Sequence, residues 1–307
     1  MKRFSKITTT QLARICGVSQ GTVDRALHNR GEISPKTRAR ILEVAREYDY
    51  TPSVQSAHSK NSMLIGVVLF DLYNEYFSKL AMSLVNAAKI AGYSVIFQFS
   101  EKDIKSEMAA LEYFNYIGVD GIVLFSVGSD SDEYENFLRL LNKPLVLIGN
   151  KMFDFPYIGI DDAAAMCEVT KRIAEKAPCG DIVYYAPALK SELHSSNAQK
   201  LRLNGFLEAA ADLERNYRIA TDTAEISDFS GIVCSTDYYA LKAIKHLGNP
   251  ESLVISGFDN ISLMHSLDTP ILTVEYSTDK IASECVNYIL GREFNAKIEY
   301  KLTYSTV

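Results

Sequence analysis

The sequence predicts an all-α three-helix head followed by an α/β body of two Rossmann-like lobes. Three observations carry that reading. Residues 8–30 have the pattern of two short helices around a tight turn, and residues 34–52 that of a third helix. Beyond residue 64, short apolar runs alternate with amphipathic helical stretches. The charge also divides: residues 1–60 hold eleven Lys/Arg against five Asp/Glu, giving +6, while the rest hold twenty-one against thirty-three, giving −12.

In the head, Thr8 and Gln11 make a Ser/Thr-x-x-Glu/Gln capping box that starts a first helix. Gly17 supplies a tight turn, and Ser19 caps a second helix. Leu12, Ile15 or Cys16, Val18, Val23 and Leu27 fall where two crossing helices need apolar contacts. The second helix can then expose Gln20, Gly21, Asp24, Arg25 and His28. Ser34 caps a third helix with Pro35 at its first position, Ile41, Leu42, Ala45 and Tyr48 make its apolar face, and Pro52 ends the unit. A basic helix-turn-helix points to the major groove of DNA.

Residues 53–63 are small and polar and read as a linker. Apolar runs follow at 64–70, 93–99, 121–125, 145–148, 182–185, 231–234 and 253–256, with helical stretches near 75–91, 103–117, 132–141, 162–176, 196–213, 237–246 and 278–290. Such alternation argues for parallel sheets covered on both faces. The units are too many for one sheet, hence two lobes, with a ligand at the C-terminal ends of the strands. Residues 217–230 show little helical period, so the crossover there is expected to be cut short.

Other classes are disfavoured. No run of about 18 apolar residues predicts a membrane span, and the opening Met-Lys-Arg-Phe-Ser-Lys lacks an apolar export signal. Cys16, Cys167, Cys179, Cys234 and Cys285 are scattered without a Cys-x-x-Cys pair, as expected of reduced thiols in the cytoplasm with no metal role. No nucleophile elbow, zinc-helix motif or phosphate-binding loop occurs, and His28, His58, His194, His246 and His265 lack a ligand spacing. Neither an enzyme nor a bound cofactor is expected.

The chain resembles the lactose-repressor (LacI/GalR) family of transcription regulators from about residue 7 onward. The resemblance rests on Gly17-Val18-Ser19-x-x-Thr22-Val23, Ser34-Pro35-x-Thr37-Arg38, Tyr50-x-Pro52, Asn74-x-Tyr76-Phe77, Arg202-Leu203-x-Gly205-Phe206, Ser256-Gly257-Phe258-Asp259 and Thr269-Pro270-x-Leu272-Thr273. It implies a DNA-binding head at 1–52, a hinge at 53–63 and a type I periplasmic-binding-protein body at 64–307. Crossings near 160, 274 and 292 would divide the body into an N-lobe (about 64–160 and 275–291) and a C-lobe (about 161–273 and 293–307). In the cleft it implies effector contacts from Tyr76, Phe77, Arg202, Asp237 and Asp259, with Asp71, Asn74, Asn150, Asp161 and Ser196 as weaker additions. Aromatic faces, carboxylates and a guanidinium together suit a polyol.

The chain also departs from the family. Asp24 replaces a small hydroxyl residue, Ser59 stands at the apolar wedge of the hinge, Gly149-Asn150 replaces Asp-Arg, and Thr236 stands where an Asn is common. On DNA, Arg25 is expected to read a guanine edge and Gln20 an adenine. Asp24 would accept from a cytosine amine or orient Arg25, while Gly21 admits close approach and His28 ends the reading helix. Thr8, Ser19, Thr22, Asn29, Lys36 and Arg38 are expected on phosphates. The function expected is a cytoplasmic homodimeric regulator, a repressor, that binds operator DNA and a small-molecule effector, a monosaccharide or a derivative of one. The alternatives are a solute-binding protein without a regulatory role, or the same fold acting as an activator or with a corepressor.

Overall fold

A computed structural model describes residues 9–27, 33–48, 62–128, 131–177, 180–190, 196–248 and 253–305. The chain divides into two compact units, Met1–Lys60 and Asn61–Val307.

The first unit contains α1 (Thr9–Cys16), α2 (Gln20–Leu27) and α3 (Pro35–Glu47). Helix α1 ends in a Schellman turn: Val18 N–H donates to Ala13 O, and Gly17 N–H to Arg14 O. Gly17 sits at φ +67° with open space where a Cβ would be, so backbone conformation rather than crowding calls for glycine there. Ser19 Oγ accepts the Thr22 N–H at 3.1 Å and starts α2, and Ser34 Oγ does the same for α3 through Thr37. Leu12, Ala13, Cys16, Val23, Ala26, Ile41 and Ala45 form the core, with Val18, Leu27, Ile33 and Val44 against it. Cys16 rather than Ile15 faces inward, since Ile15 is 41 % exposed. On α3 Val44 joins the core cluster, while Leu42 and Tyr48 are half-buried.

The second unit holds two sheets. The first has the order β2-β1-β3-β4-β5 and is parallel throughout, formed by β1 (Leu64–Leu69), β2 (Ser94–Phe99), β3 (Gly121–Leu124), β4 (Leu145–Ile148) and β5 (Tyr157–Ile158). Period-two alternation sorts its side chains. Ile65, Val67 and Leu69 face α4 (Glu75–Ile90) and α10 (Thr278–Ile289), while Val68, Ile122 and Leu124 face α5 (Ile104–Ile117) and α6 (Asp132–Leu140).

The second sheet has the order β11-β10-β9-β8-β6-β7, with β6 (Ile182–Tyr185), β7 (Tyr217–Ala220), β8 (Gly231–Cys234), β9 (Val254–Ser256), β10 (Leu272–Tyr276) and β11 (Tyr300–Tyr304). Only β11 runs antiparallel to its neighbour. Helices α7 (Asp162–Lys176) and α8 (Asn197–Asp212) cover one face and α9 (Asp237–Leu247) the other.

Strands β5, β7, β10 and β11 are absent from the expected runs. β5 is two residues long, and β7 and β11 are edge strands with exposed positions, so none carries a continuous apolar run. Residues 221–230 contain only a 3₁₀ turn, Thr223–Glu225, closed by an Asp222–Glu225 capping box. Because β10 continues through Tyr276, the second crossing between lobes follows that residue rather than lying near 274. The others fall between β5 and α7 and between α10 and β11.

Candidate functional site

Helix α2 buries Val23 and Ala26 and exposes Gln20, Gly21 and Arg25. Arg25 folds back, its Nε donating to Gly21 O at 3.1 Å, and Gln20 Nε2 donates to Thr10 Oγ1 at 2.5 Å. Both side chains are anchored at the surface and have no further partner among the described residues. Ser19 and Thr22 share a hydroxyl contact of 2.9 Å at the start of α2, and Lys36 is exposed in the first turn of α3. Arg38, expected on a phosphate, also has a bond within the head. It is half-buried and donates Nε to Ala26 O at 3.4 Å, tying α3 to the last turn of α2, where a cation suits the helix dipole. Thr8, His28 and Asn29, and the hinge with Ser59, lie outside the described residues, as does the Asp24 side chain.

In the second unit, a cavity of about 330 Å³ opens between the two sheets' C-terminal ends. Asp71, Asn74, Tyr76, Phe77, Ser196, Arg202 and Asp259 line it, together with Phe70, Lys102, Phe125, Gln199, Tyr238 and Tyr239. The start of α4 places the aromatic wall: Asn74 caps the helix by accepting the Tyr76 N–H at 3.1 Å, so Tyr76 and Phe77 stand in its first turn. Tyr73 lines the mouth and is 98 % exposed.

Arg202 is the hub of the buried end. Its Nε donates to Asp162 at 2.7 Å, one terminal nitrogen to Ser235 O at 2.8 Å, and the other to Asp259 at 3.4 Å. Its guanidinium also stacks 3.6 Å from the Phe258 ring centroid. Gly205 makes this possible. A Cβ there would meet Ala163 O at 2.1 Å, so only glycine lets α8 lie close enough to α7 for Arg202 to reach Asp162. Burial works against the Arg202 charge, but Asp259 and Asp162 outweigh it and hold the guanidinium firmly protonated. Burial raises the carboxyls of Asp162 and Asp259, and Arg202 pulls both back.

Asp259 sits on strained backbone, at φ +101° followed by Asn260 at +47°. Tyr276 OH donates to its Oδ1 at 2.9 Å. This loop is tied to the other lobe: Glu75 accepts the Ser262 N–H at 2.7 Å, and Lys79 donates to Asn260 O at 3.3 Å. Burial opposes the Glu75 charge, but the Lys79 and Ser262 hydrogen bonds prevail and lower its carboxyl to about 2.

Three expected contacts do not line this cavity. Asp237 is fully buried, with its Oδ1 accepting from Thr273 Oγ1 at 2.7 Å and its Oδ2 from Ile261 N–H at 2.9 Å. Its carboxylate is spent on the loop that carries Asp259. Burial and the nearby Asp259 charge push it up to about 7. Asn150 is also fully buried and bridges Ser126 O and Ala198 N–H. Asp161 caps α7 through Ala164 N–H and lines a separate cavity of about 800 Å³ beside Lys151 and Lys297. Its neighbour Asp162, which no motif singled out, is the residue that meets Arg202. Tyr276 was likewise missed, although the alternation of Leu272, Val274 and Tyr276 is a strand signal.

The model of the family described as bacterial regulatory proteins, lacI family, matches residues 9–53. The head of the chain belongs to the lacI family. The ribose operon repressor of Bacillus subtilis (strain 168) is 26 % identical over 306 residues, covering 92 % of this chain and 91 % of that protein. The lac repressor dimer bound to operator and the anti-inducer ONPF has the same fold, with TM-score 0.68, 18 % identity, and coverage of 97 % of this chain and 98 % of that one. So does the periplasmic binding protein/LacI transcriptional regulator of Alkaliphilus metalliredigens QYMF complexed with D-xylulofuranose, with TM-score 0.66, 23 % identity, and coverage of 79 % and 97 %. With a lacI-family head and a repressor as a relative along most of its length, the protein is a DNA-binding regulator and not an enzyme. No helix among its described residues is long and apolar enough to cross a membrane.

Proposed function

We propose that the protein is a cytoplasmic, homodimeric transcription repressor whose operator affinity is set by a sugar held between the lobes. The observation that carries this reading is the pairing, in one chain with a lacI-family head, of an exposed Gln20–Gly21–Arg25 helix face with a cavity lined by Tyr76, Phe77, Arg202 and Asp259. Arg25 reads a guanine O6/N7 edge and Gln20 an adenine, while Ser19, Thr22 and Lys36 hold phosphates and set register. Two heads of a dimer read two half-sites related by the dimer's two-fold axis.

In the cavity, Asp259 accepts from sugar hydroxyls, Arg202 donates to them, and Tyr76 and Phe77 pack on the C–H faces of the ring. Asn74 and Ser196 combine their capping roles with places on the wall. The sugar acts by binding the closed lobes better than the open ones, and it shifts operator affinity by that difference alone.

The test is gel-shift titration of the full chain on the promoter of its own gene at moderate salt, with and without pentoses and hexoses. A shift that one sugar alters at constant protein supports the reading. No protein-dependent shift at any concentration rejects it.

A further inference from the structure

We infer that the effector carries a protonated amine on its polyol frame, and that this ammonium is received by the free oxygen of Asp259. The inference rests on the reading of the cleft as a sugar site and narrows its ligand to aminated sugars.

The buried end of the cavity has too few positive charges. Asp162 and Asp259 have side chains 4 % and 6 % exposed and share one cation, Arg202, while Asp237, 0 % exposed just behind Asp259, is held by the neutral partners Thr273 and Ile261. Fully ionised, the group carries an excess of negative charge in a place with little water to screen it. Burial first, and the Asp259 charge second, push the Asp237 carboxyl up to about 7. Lys102 also lines the cavity, but it is exposed, stands 5.9 Å from the Phe70 ring centroid, and shares the rim with Asp71, so it leaves the deep imbalance untouched.

The unused hydrogen-bonding capacity points the same way. Arg202 and Tyr276 both donate to Asp259 Oδ1, so Oδ2 has no partner among the described residues. Gln199 Oε1, on the same cavity, is buried and likewise without one. Both are acceptors. A hydroxyl would satisfy them singly, but an ammonium offers three donors and a positive charge, and it gains from the faces of Tyr76 and Phe77 as well. A neutral sugar leaves the charge imbalance where it was.

The experiment is calorimetric titration of the full chain at pH 7 with matched sets: hexoses bearing an amine at carbon 2, 3, 4 or 6, their parent sugars, and the N-acetyl forms. At least one amino sugar is expected to bind tenfold or more tighter than both its parent and its N-acetyl form. In Asp259→Asn that advantage should disappear. Parent sugars binding as well as or better than their amines in every set would overturn the amine and leave the sugar reading standing. Binding by no member of any set would overturn both. An amine preference that survives Asp259→Asn, in protein with an unchanged circular-dichroism spectrum, would overturn the placement at Asp259.

Discussion

Asn150 and Ala198 join the lobes: the Asn150 Oδ1, after β4, accepts the Ala198 N–H, in the first turn of α8, at 3.1 Å. The same amide donates Nδ2 to Ser126 O at 2.5 Å, and Asn197 of α8 donates to Lys151 O at 2.8 Å. First-turn N–H groups have no partner within a helix. Here Ser196 satisfies one from its own lobe and Asn150 another from across the cleft. Because α8 also carries Gln199 and Arg202, the bond that closes the lobes sets the cavity wall. Asn150→Ala leaves Ser126 O and Ala198 N–H unsatisfied at a buried seam, at about 1–3 kcal/mol for each group. Effector affinity is expected to fall by tenfold or more, although Asn150 does not line the cavity. Calorimetry on the variant checks this, and unchanged affinity would remove the latch from the account.

Arg202 is held by three acceptors at once, and lysine cannot replace it. A lysine has one compact head group without the planar fork, so Arg202→Lys leaves Asp162 or Asp259 buried beside an incomplete partner. Breaking a buried pair in that way costs about 3–5 kcal/mol. Urea unfolding should show the loss in the absence of any effector. A variant within about 1 kcal/mol of the parent would mean that the three contacts contribute little to stability.

Asp237 gives the body a pH dependence of calculable sign. Its carboxyl titrates near 7 in the folded chain and from a reference of 3.8. Between those values the folded state keeps a proton that the unfolded state has lost, so stability falls as pH rises toward 7 and levels off above it. The span sets an upper bound of about 4 kcal/mol. In Asp237→Asn the amide oxygen can still accept from Ile261 N–H, and its nitrogen can donate to Thr273 Oγ1, without the charge. The variant should gain on the parent between pH 5 and pH 8. Thermal or urea melts at those two values read the gain, and an equal difference at both would reject it.

Much of the architecture was legible because it rests on local patterns. The seven apolar runs coincide with strands β1–β4, β6, β8 and β9, and α4–α10 start where Asn74, Asp103, Ser131, Asp161, Ser196, Thr236 and Ser277 cap them. The site was legible only in part. Arg202 and Asp259 could be carried over from the family resemblance, but the partner of Arg202 could not. Asp161 and Asp162 are chemically identical neighbours, and only the packing of α7 on α8 at Gly205 decides that the second faces the guanidinium. Asp237 shows the opposite case. The same resemblance implied it as an effector contact, yet long-range pairing with Thr273 and Ile261 consumes it.

The basic residues of the head separate into three roles that one salt-titration series can resolve. Arg25 is exposed and can reach a base edge, so Arg25→Ala should weaken the cognate half-site by about 1–3 kcal/mol and relax selection at one base pair. Lys36 is exposed in the first turn of α3 and suits a phosphate. Lys36→Ala should weaken all sequences alike and reduce the salt slope of binding by about one. Arg38 spends its Nε on Ala26 O. Arg38→Ala should therefore lower the melting temperature of the head, while Lys36→Ala leaves it unchanged. A half-site library, read at three salt concentrations beside thermal melts, distinguishes the three. If Arg25→Ala keeps full base discrimination, another residue of α2 reads the base. If Arg38→Ala alters only the salt slope, its bond to Ala26 has no structural weight.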